Sequence, residues 1–330
     1  MKDKKRLIQI AAHIGFFVFI IAIILIFVSK ILNFINGNVI SNDDIPKDNS
    51  DSALVSEPMD YILPLVTTKE NLPVDDGKTT VVCFGNAPFA DDRDSNTNIC
   101  NLVAKETGAT VYNCSIPGSY MAAQEVTFMA DVQPMDAFSF YWLTTRFCMD
   151  NEIPIEGALA NMEDPDPDLL KAVKLLESID FEKVDVIAIM YDGSDYLAGR
   201  GDNDDENFTN PQRFTGSMAA GIELIQTYLP HIRIIVMSPT YAYALQEDGT
   251  TISSYLEDYG FSHLSTYVAK QADAAYNLSV SFVDNFFGGV YEKVAPDYLK
   301  DHIHLNEEGR KLVAEKLIYA LELFPEPVVE

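Results

Sequence analysis

Five short apolar runs, each separated from the next by a helical pattern, constrain the fold of this chain more than any other feature. They span residues 79–84, 110–114, 184–190, 232–237 and 280–283. Helical patterns cover residues 94–107, 135–149, 168–178, 213–229 and 261–277, and a last one begins near residue 306. The run Val184–Met190 is apolar at nearly every position, which is typical of a strand buried on both faces. The alternation predicts a parallel sheet with helices on both sides.

Right-handed crossovers between such strands produce a doubly wound arrangement. We therefore predict an α/β fold, a three-layer α/β/α sandwich around a five-stranded parallel sheet, over residues 78–330. The chain has 330 residues, of which 48% are apolar, so it can bury a large core. In sheets of this kind the functional residues lie at the carboxyl ends of the strands.

A second constraint lies at the N-terminus, where Ile10–Val28 form a 19-residue run with His13 as the only strongly polar residue. As a helix this run is about 28 Å long, close to the roughly 30 Å of a bilayer core. Four basic residues precede it and acidic residues follow it, so the positive-inside rule places the N-terminus in the cytoplasm. We predict a cytoplasmic tail at 1–6, one transmembrane helix at 7–32 and an extracytoplasmic tether at 33–77.

A cleaved signal peptide is the alternative interpretation of the same run. The apolar region of a signal peptide has 7–15 residues and ends in a small-x-small cleavage site. The run here is longer, and its exit from Phe27 to Lys30 lacks such a site. We therefore expect an uncleaved single-pass anchor in the cell membrane, with the main domain outside the cytoplasm.

Charge and cysteine content limit the partners and cofactors. The formal net charge is −27, and beyond residue 30 there are 18 basic and 49 acidic residues. Such an excess of acidic residues argues against nucleic-acid binding, because phosphate contacts need Lys and Arg. The four Cys residues, Cys83, Cys100, Cys114 and Cys148, allow three disulfide connectivities, and the sequence selects none. No spacing of His and Cys suggests a metal site, and we expect no cofactor.

Short polar blocks stand directly after three of the predicted strands and before the last helix. Residues 85–87 (Gly-Asn-Ala) follow the first strand, and Gly118 comes soon after the second. Residues 192–195 (Asp-Gly-Ser-Asp) follow the third strand, and residues 301–304 (Asp-His-Ile-His) precede the last helix.

This ordered set resembles the SGNH/GDSL hydrolases, whose sheet is flavodoxin-like, over roughly residues 78–324. Their blocks are Gly-Asp-Ser after the first strand, a Gly after the second, Gly-x-Asn-Asp after the third, and Asp-x-x-His before the last helix. The resemblance implies that His304 is a general base oriented by Asp301, and that Gly118 supplies an oxyanion-hole amide. A spacing of three residues would also bring the two side chains together on one face of a helical turn.

Two blocks depart from the family pattern where the chemistry occurs. Ala87 stands in place of the Ser nucleophile, and Asn86 in place of the Asp before it. Ser194 stands in place of the oxyanion-hole Asn, although its hydroxyl could donate one hydrogen bond. Ala has no nucleophilic atom, so the acyl-enzyme route through this position is closed. In the serine proteases, loss of a triad member leaves only ~10³–10⁴-fold catalysis over water.

Structural roles compete with these assignments. Asp301 and His304 could simply cap the last helix. Ser119 and Ser194 are small turn residues of the kind that usually serve the backbone, and Asn86 could bond only to its own turn.

Carboxylates and tyrosines flank the blocks at the same predicted rim. Such residues are typical of a groove that binds sugars, although an acidic protein also has acidic loops of no special function. The candidate substrate-binding residues are Asp92, Asp195, Tyr191, Tyr196 and Ser119. Asp91, Asp94 and Asp192 belong to the same acidic rim, for which binding of a cation or of sugar hydroxyls is the alternative to a solvated surface.

Three functions remain open from the sequence. The preferred one is a membrane-anchored protein that binds an envelope or extracellular glycan, plain or acylated, without turning it over. The alternative is an active ester hydrolase in which His304 activates water, or in which Ser119 or Ser194 replaces the lost nucleophile. The third is a structural module that docks to an envelope complex through its acidic surface.

Overall fold

The computed structural model describes residues 58–125 and 127–329. The predicted cytoplasmic tail, the transmembrane helix and residues 33–57 of the predicted tether lie outside the described residues. In the described ranges, no helix combines the length and the apolar character that crossing a membrane requires.

A five-stranded parallel sheet forms the centre of the domain, as predicted. Its strands are β1 (Thr80–Gly85), β2 (Thr110–Asn113), β3 (Val186–Met190), β4 (Arg233–Met237) and β5 (Ser281–Val283). Their spatial order is β2-β1-β3-β4-β5, and every neighbouring pair is parallel. This is the flavodoxin-like order of doubly wound sheets. All residues of β1, β3, β4 and β5 are buried, because helices cover both faces.

The helices form two outer layers. They are α1 (Ile99–Thr107), α2 (Phe140–Met149), α3 (Ile153–Asn161), α4 (Pro167–Ser178), α5 (Phe214–Tyr228), α6 (Leu264–Asn277) and α7 (Glu307–Leu323). The pair α1 and α7 packs together, while α2 and α6 pack against α5. One-turn helices begin at Ala87 and Ser194, immediately beyond the ends of β1 and β3. These two turns carry the first and third sequence blocks.

The described part of the predicted tether, residues 58–77, lies against the domain. Val66–Thr67 pair in parallel with Val328–Val329 near the C-terminus. Tyr61 forms an antiparallel bridge with Phe282 of β5, the outermost strand of the sheet on that side. The amide of Met59 donates a hydrogen bond to the carboxylate of Asp284 at 3.0 Å. The folded domain therefore includes the segment from residue 58 onward.

Arg233, the first residue of β4, joins the two ends of the domain from a buried position. Its side chain donates to the carbonyl of Leu63 at 2.8 Å and to those of Ala320 and Phe324 at 2.8 and 3.1 Å. The two latter carbonyls lie at the C-terminal end of α7, where cations are favoured by the helix dipole. Burial lowers the pKa of Arg233 to about 10, which leaves the guanidinium charged at neutral pH.

All four cysteines are free. Cys83, Cys100 and Cys114 are buried together between β1, α1 and the end of β2, and Cys148 lies in α2. Burial raises the pKa of each of Cys100, Cys114 and Cys148, to about 12 for Cys148, so these thiols stay protonated.

Candidate active site

The sequence blocks meet at the carboxyl ends of β1 and β3. Gly85, the last residue of β1, is the register partner of Met190, the last residue of β3. The chain leaves β1 through α1 and leaves β3 through α5, which belong to different helical layers. A doubly wound sheet opens a crevice where its crossovers change sides, and ligands bind there.

Asn86 is almost completely buried, and its side chain links the loops that follow β1, β2 and β3 through hydrogen bonds. Its side-chain amide donates to the carboxylate of Asp192 at 2.7 Å and to the carbonyl of Ser119 at 3.1 Å. Its side-chain oxygen accepts a hydrogen bond from the amide of Asp192 at 2.9 Å. The alternative that Asn86 serves only its own turn is therefore excluded, because its partners follow β2 and β3.

Ala87 is the first residue of the one-turn helix that ends at Ala90, and it is partly exposed. The following residue, Pro88, suits the first turn of a helix because it has no amide hydrogen to satisfy there. The position resembles that of a nucleophile on a sharp strand-to-helix turn, but it presents only a methyl group.

The loop after β2 places Gly118 and Ser119 differently from each other. Gly118 is exposed and adopts a positive φ of 69°, which glycine tolerates without strain. Ser119 is buried, and its hydroxyl donates to the carbonyl of Ile116 at 2.9 Å. The predictions that Ser119 binds substrate or replaces the nucleophile are therefore wrong, because its hydroxyl serves the turn.

The Asp301–His304 pair is formed, and both side chains are partly exposed. Nδ1 of His304 lies 2.8 Å from Oδ2 of Asp301. The other carboxylate oxygen, Oδ1, accepts the amides of Ile303 and His304 at 2.9 and 2.8 Å. The pair meets through this turn rather than on the helical turn that the spacing suggested, because residues 301–304 precede α7 without being helical.

The same hydrogen bonds keep Asp301 ionised. Partial burial raises its pKa, but the amides of His304 and Ile303 and the imidazole of His304 outweigh burial and lower the pKa to about 2. The helix-capping role belongs to Asn306, whose side chain accepts the amide of Gly309 at 3.0 Å. Asp301 therefore orients His304, and the alternative that the pair caps the last helix is excluded.

Asp192 lies directly after β3, beside Asn86, and is 3% exposed. Burial raises its pKa, and this effect is opposed by hydrogen bonds from Ser194 and Asn86 and by the charge of His304. Lys300, which precedes Asp301, pairs at 2.9 Å with Asp91, the residue that ends the helical turn of Ala87. The loop that carries Asp301 and His304 therefore lies beside the Ala87 turn.

Ser194 begins the one-turn helix after β3 and is half-buried. Its amide donates to Asp192 Oδ1 at 3.0 Å. The role of Ser194 as an oxyanion-hole donor stays a prediction, as does the alternative that it replaces the nucleophile.

Asp195 holds the loop that follows β2 in place through hydrogen bonds to its backbone. Its carboxylate accepts the amides of Met121 and Ala122, both at 2.9 Å, and thereby anchors the loop beyond Gly118. Complete burial raises its pKa to about 6, while Arg200 and these amides act in the opposite direction. The prediction that Asp195 binds substrate is wrong, because both of its oxygens serve the backbone.

Tyr191 and Tyr196 are 0% and 1% exposed, so the prediction that they form a ligand platform is wrong. The Tyr191 ring packs edge-on against Phe140, and the Tyr196 hydroxyl donates to the carbonyl of Glu257 at 2.8 Å. Tyr191 continues the buried strand β3, and Tyr196 lies on the buried side of the following helical turn.

The predicted acidic rim is not a cluster. Asp91 pairs with Lys300 at 2.9 Å, and Asp94 pairs with Lys171 at 3.2 Å. Asp92 adopts a positive φ of 49°, and its carboxylate pairs with Arg310 at 2.9 Å. That Asp92 binds substrate stays a prediction. Within residues 58–125 and 127–329, no group of three His, Cys, Asp or Glu residues could hold a metal ion.

Sequence reasoning missed three aromatic residues beside the site. Tyr120 stacks against Arg200, whose guanidinium lies 3.7 Å from the ring centre. The amide of Tyr243 donates to the carbonyl of His302, and the His302 ring centre lies 6.5 Å from that of His304. Tyr120, Tyr243 and His302 are all half-buried. Only the position of His302 inside the fourth block could have signalled any of them.

The site has a base and an orienting carboxylate without an attacking atom. His304 can accept or hold a proton at Nε2 because Asp301 engages Nδ1. The described hydrogen bonds give His304 no serine or threonine partner. The arrangement can therefore bind a polar group or polarise a water molecule, and Ala87 offers it no covalent route.

The comparisons with known proteins agree with the architecture. No protein-family model and no curated protein matches the sequence. One crystal structure matches 74% of this chain and 96% of its own chain, with 17% identity and a TM-score of 0.52. A protein from Lactobacillus plantarum matches 74% and 97% of the two chains, with 15% identity and a TM-score of 0.51. Both likenesses concern the fold alone.

A third structure, described as a possible lipase from Chitinophaga pinensis, covers 74% of this chain and 98% of its own, with 12% identity and a TM-score of 0.47. The strand order β2-β1-β3-β4-β5 agrees with the flavodoxin-like sheet that the resemblance implied. The described residues thus share the overall fold of the first two structures.

Proposed function

We propose that this protein binds a glycan in the crevice beside His304 without forming a covalent intermediate. The observation that carries the proposal is the methyl group of Ala87 at the nucleophile position, together with a formed Asp301–His304 pair. An imidazole held in one orientation by a carboxylate is a good hydrogen-bonding partner for a ligand, whether or not it performs catalysis.

The neighbouring serines do not restore the lost chemistry. The hydroxyl of Ser119 is buried and bonded to a backbone carbonyl, and the amide of Ser194 is bonded to Asp192. A nucleophile needs a base within hydrogen-bond reach, and neither serine has His304 as a hydrogen-bond partner. Water activated by His304 is the remaining hydrolytic alternative, and the experiment below separates it from binding.

A glycan is the ligand class that the surroundings favour. Tyr120, two residues after Gly118, and Tyr243, whose amide bonds to the carbonyl of His302, are half-buried, unlike Tyr191 and Tyr196. Sugar rings pack on such aromatic faces while their hydroxyl groups bond to nearby polar side chains. The predicted anchor at residues 7–32 would hold this site outside the cytoplasm, where envelope or extracellular glycans occur.

Binding and turnover can be measured on the full-length protein with partly deacetylated chitin oligosaccharides and with p-nitrophenyl acetate. We expect calorimetry to show binding of the oligosaccharides that weakens about tenfold or more in His304→Ala, which corresponds to about 1.4 kcal/mol. His263→Ala, which changes a half-buried histidine at the start of α6, is the matched control and should bind normally.

Hydrolysis of the acetate ester should be equal in the wild type and in His304→Ala. Turnover that depends on His304 in the wild type would overturn the proposal in favour of an esterase that activates water. Absence of oligosaccharide binding would overturn it as well.

A further inference from the structure

Two departures from the family blocks are neighbours in space. The first block has Asn86 where the family has Asp, and the third block begins with Asp192 where the family has Gly. Because Gly85 and Met190 are register partners, both residues stand where their strands end. Compared with the family pattern, this chain has its carboxylate at the end of β3 instead of at the end of β1.

Hydrogen bonds hold the carboxylate of Asp192 in place. Asn86 and Asp192 exchange two hydrogen bonds, one of 2.7 Å to the carboxylate and one of 2.9 Å from the Asp192 amide. A third donor, the amide of Ser194, reaches the same carboxylate oxygen at 3.0 Å. Asp192 therefore has a single orientation, at the base of the crevice, next to the residue that precedes Ala87.

The groups that donate hydrogen bonds to this carboxylate, the side-chain amide of Asn86 and the backbone amide of Ser194, are neutral. A neutral donor leaves most of the negative potential in place, and a buried site screens that potential weakly. The net charge of −27 adds to the attraction for cations in a crevice of this kind.

An ester hydrolase needs the opposite potential at this place. Its tetrahedral intermediate carries an oxyanion, which donors and positive potential stabilise. Here a buried carboxylate stands beside the Ala87 turn, and the amide of Ser194 is already bonded to it. The crevice is therefore suited to a ligand group that donates hydrogen bonds and carries positive charge.

We propose that Asp192 selects a protonated amine, so that the ligand is an amino sugar with a free amino group rather than its acylated form. The inference rests on the proposed glycan-binding function and specifies the chemistry of the ligand. The ammonium group pairs with the Asp192 carboxylate, whereas an acyl carbonyl there would meet like charge. N-acetylation removes the charge and therefore weakens binding.

The test compares glucosamine with N-acetylglucosamine by NMR titration of the ¹⁵N-labelled full-length protein, at about pH 6, where amines are protonated. We expect glucosamine to bind about tenfold or more tightly than the acetylated sugar. In Asp192→Asn, which keeps the shape of the side chain and an acceptor for Asn86, the preference should fall below about threefold. Equal affinities in the wild type, or an unchanged preference in Asp192→Asn, would overturn the inference.

A second arm separates this inference from the proposed function. Ala87→Ser should hydrolyse p-nitrophenyl acetate less than about tenfold faster than the double variant Ala87→Ser/His304→Ala. Adding Asp192→Gly to Ala87→Ser should raise the rate by about a hundredfold, the size of one oxyanion-hole contribution. Full activity in Ala87→Ser alone would overturn the role of Asp192 and leave the proposed function standing, whereas hydrolysis by the wild type would overturn the proposed function.

Discussion

At the residue scale, the site combines carboxyl groups whose pKa values move in opposite directions. Hydrogen bonds from the 303 and 304 amides lower the pKa of Asp301 to about 2, whereas burial raises that of Asp195 to about 6. The Asp301–His304 contact was expected from the resemblance of residues 301–304 to the Asp-x-x-His block, although the non-helical turn that forms it was not. The contact of Asn86 with Asp192 was not, because it joins residues 106 positions apart through the register of β1 and β3.

These pKa values predict how stability depends on pH. Because the folded pKa of Asp195 is raised, its neutral form contributes stability below the unfolded value of about 3.9, and this contribution is lost as the pH rises through about 6. Between pH 4 and 7, we expect the wild type to lose about 2 kcal/mol of unfolding free energy relative to Asp195→Asn. Urea unfolding at several pH values measures the difference.

Asp301→Asn is the matched control with the opposite sign. The folded pKa of Asp301 is lowered, so its charge contributes stability above about pH 4, and this is lost as the pH falls through about 2. Its partial exposure reduces the effect to about 1 kcal/mol. The same pH trend for both variants would contradict the assignment of these pKa directions.

At the element scale, the close approach of β1 and β3 determines the geometry of the site. A Cβ atom on Gly85 would lie 1.8 Å from the carbonyl oxygen of Met190, so no side chain fits between these strand ends. Gly85 precedes Asn86, and the two strand ends must stay close for the bonds between Asn86 and Asp192 to form.

Gly85→Ala should therefore destabilise the fold by about 3 kcal/mol or more, because backbone must move away from backbone. Gly249→Ala is the control, since that glycine lies in a turn with a positive φ of 83° and nothing within 4 Å. Its expected cost is about 1 kcal/mol. Thermal unfolding of both variants provides the measurement, and equal losses would show that the strand contact tolerates a side chain.

The central strands were predictable to within about two residues because they are continuous apolar runs. The short pairs Val66–Thr67 with Val328–Val329 and Ala244–Leu245 with Thr251–Ile252 were not, because two residues carry no periodicity. The helix α3 (Ile153–Asn161) was missed as well. Its sequence contains a proline and a glycine, and both disfavour a helix on propensity alone.

At the scale of the whole molecule, the charge distribution supports the proposal of a membrane anchor. A basic N-terminus precedes an apolar run and a strongly acidic remainder, which is the asymmetry of a single-pass protein with its N-terminus inside. The location stays a proposal, because residues 1–57 lie outside the described ranges.

Cysteine labelling in intact cells tests this orientation. In a Cys148→Ala background, Leu256→Cys places a thiol at a position that is 75% exposed on the domain, and a membrane-impermeant maleimide should label it without lysis. Lys4→Cys should react only after the membrane is permeabilised, because the tail is predicted to be cytoplasmic. Labelling of Lys4→Cys in intact cells would contradict the predicted topology.

The bridge between Tyr61 and Phe282 has a consequence for where the folded unit can be cut. A chain that began at residue 78, where the first predicted strand starts, would lose the segment that covers the outer side of β5. An uncovered edge strand offers free amides and carbonyls to other copies, which is a recognised route to aggregation. The residues that continue the predicted tether thus also protect the sheet from self-association.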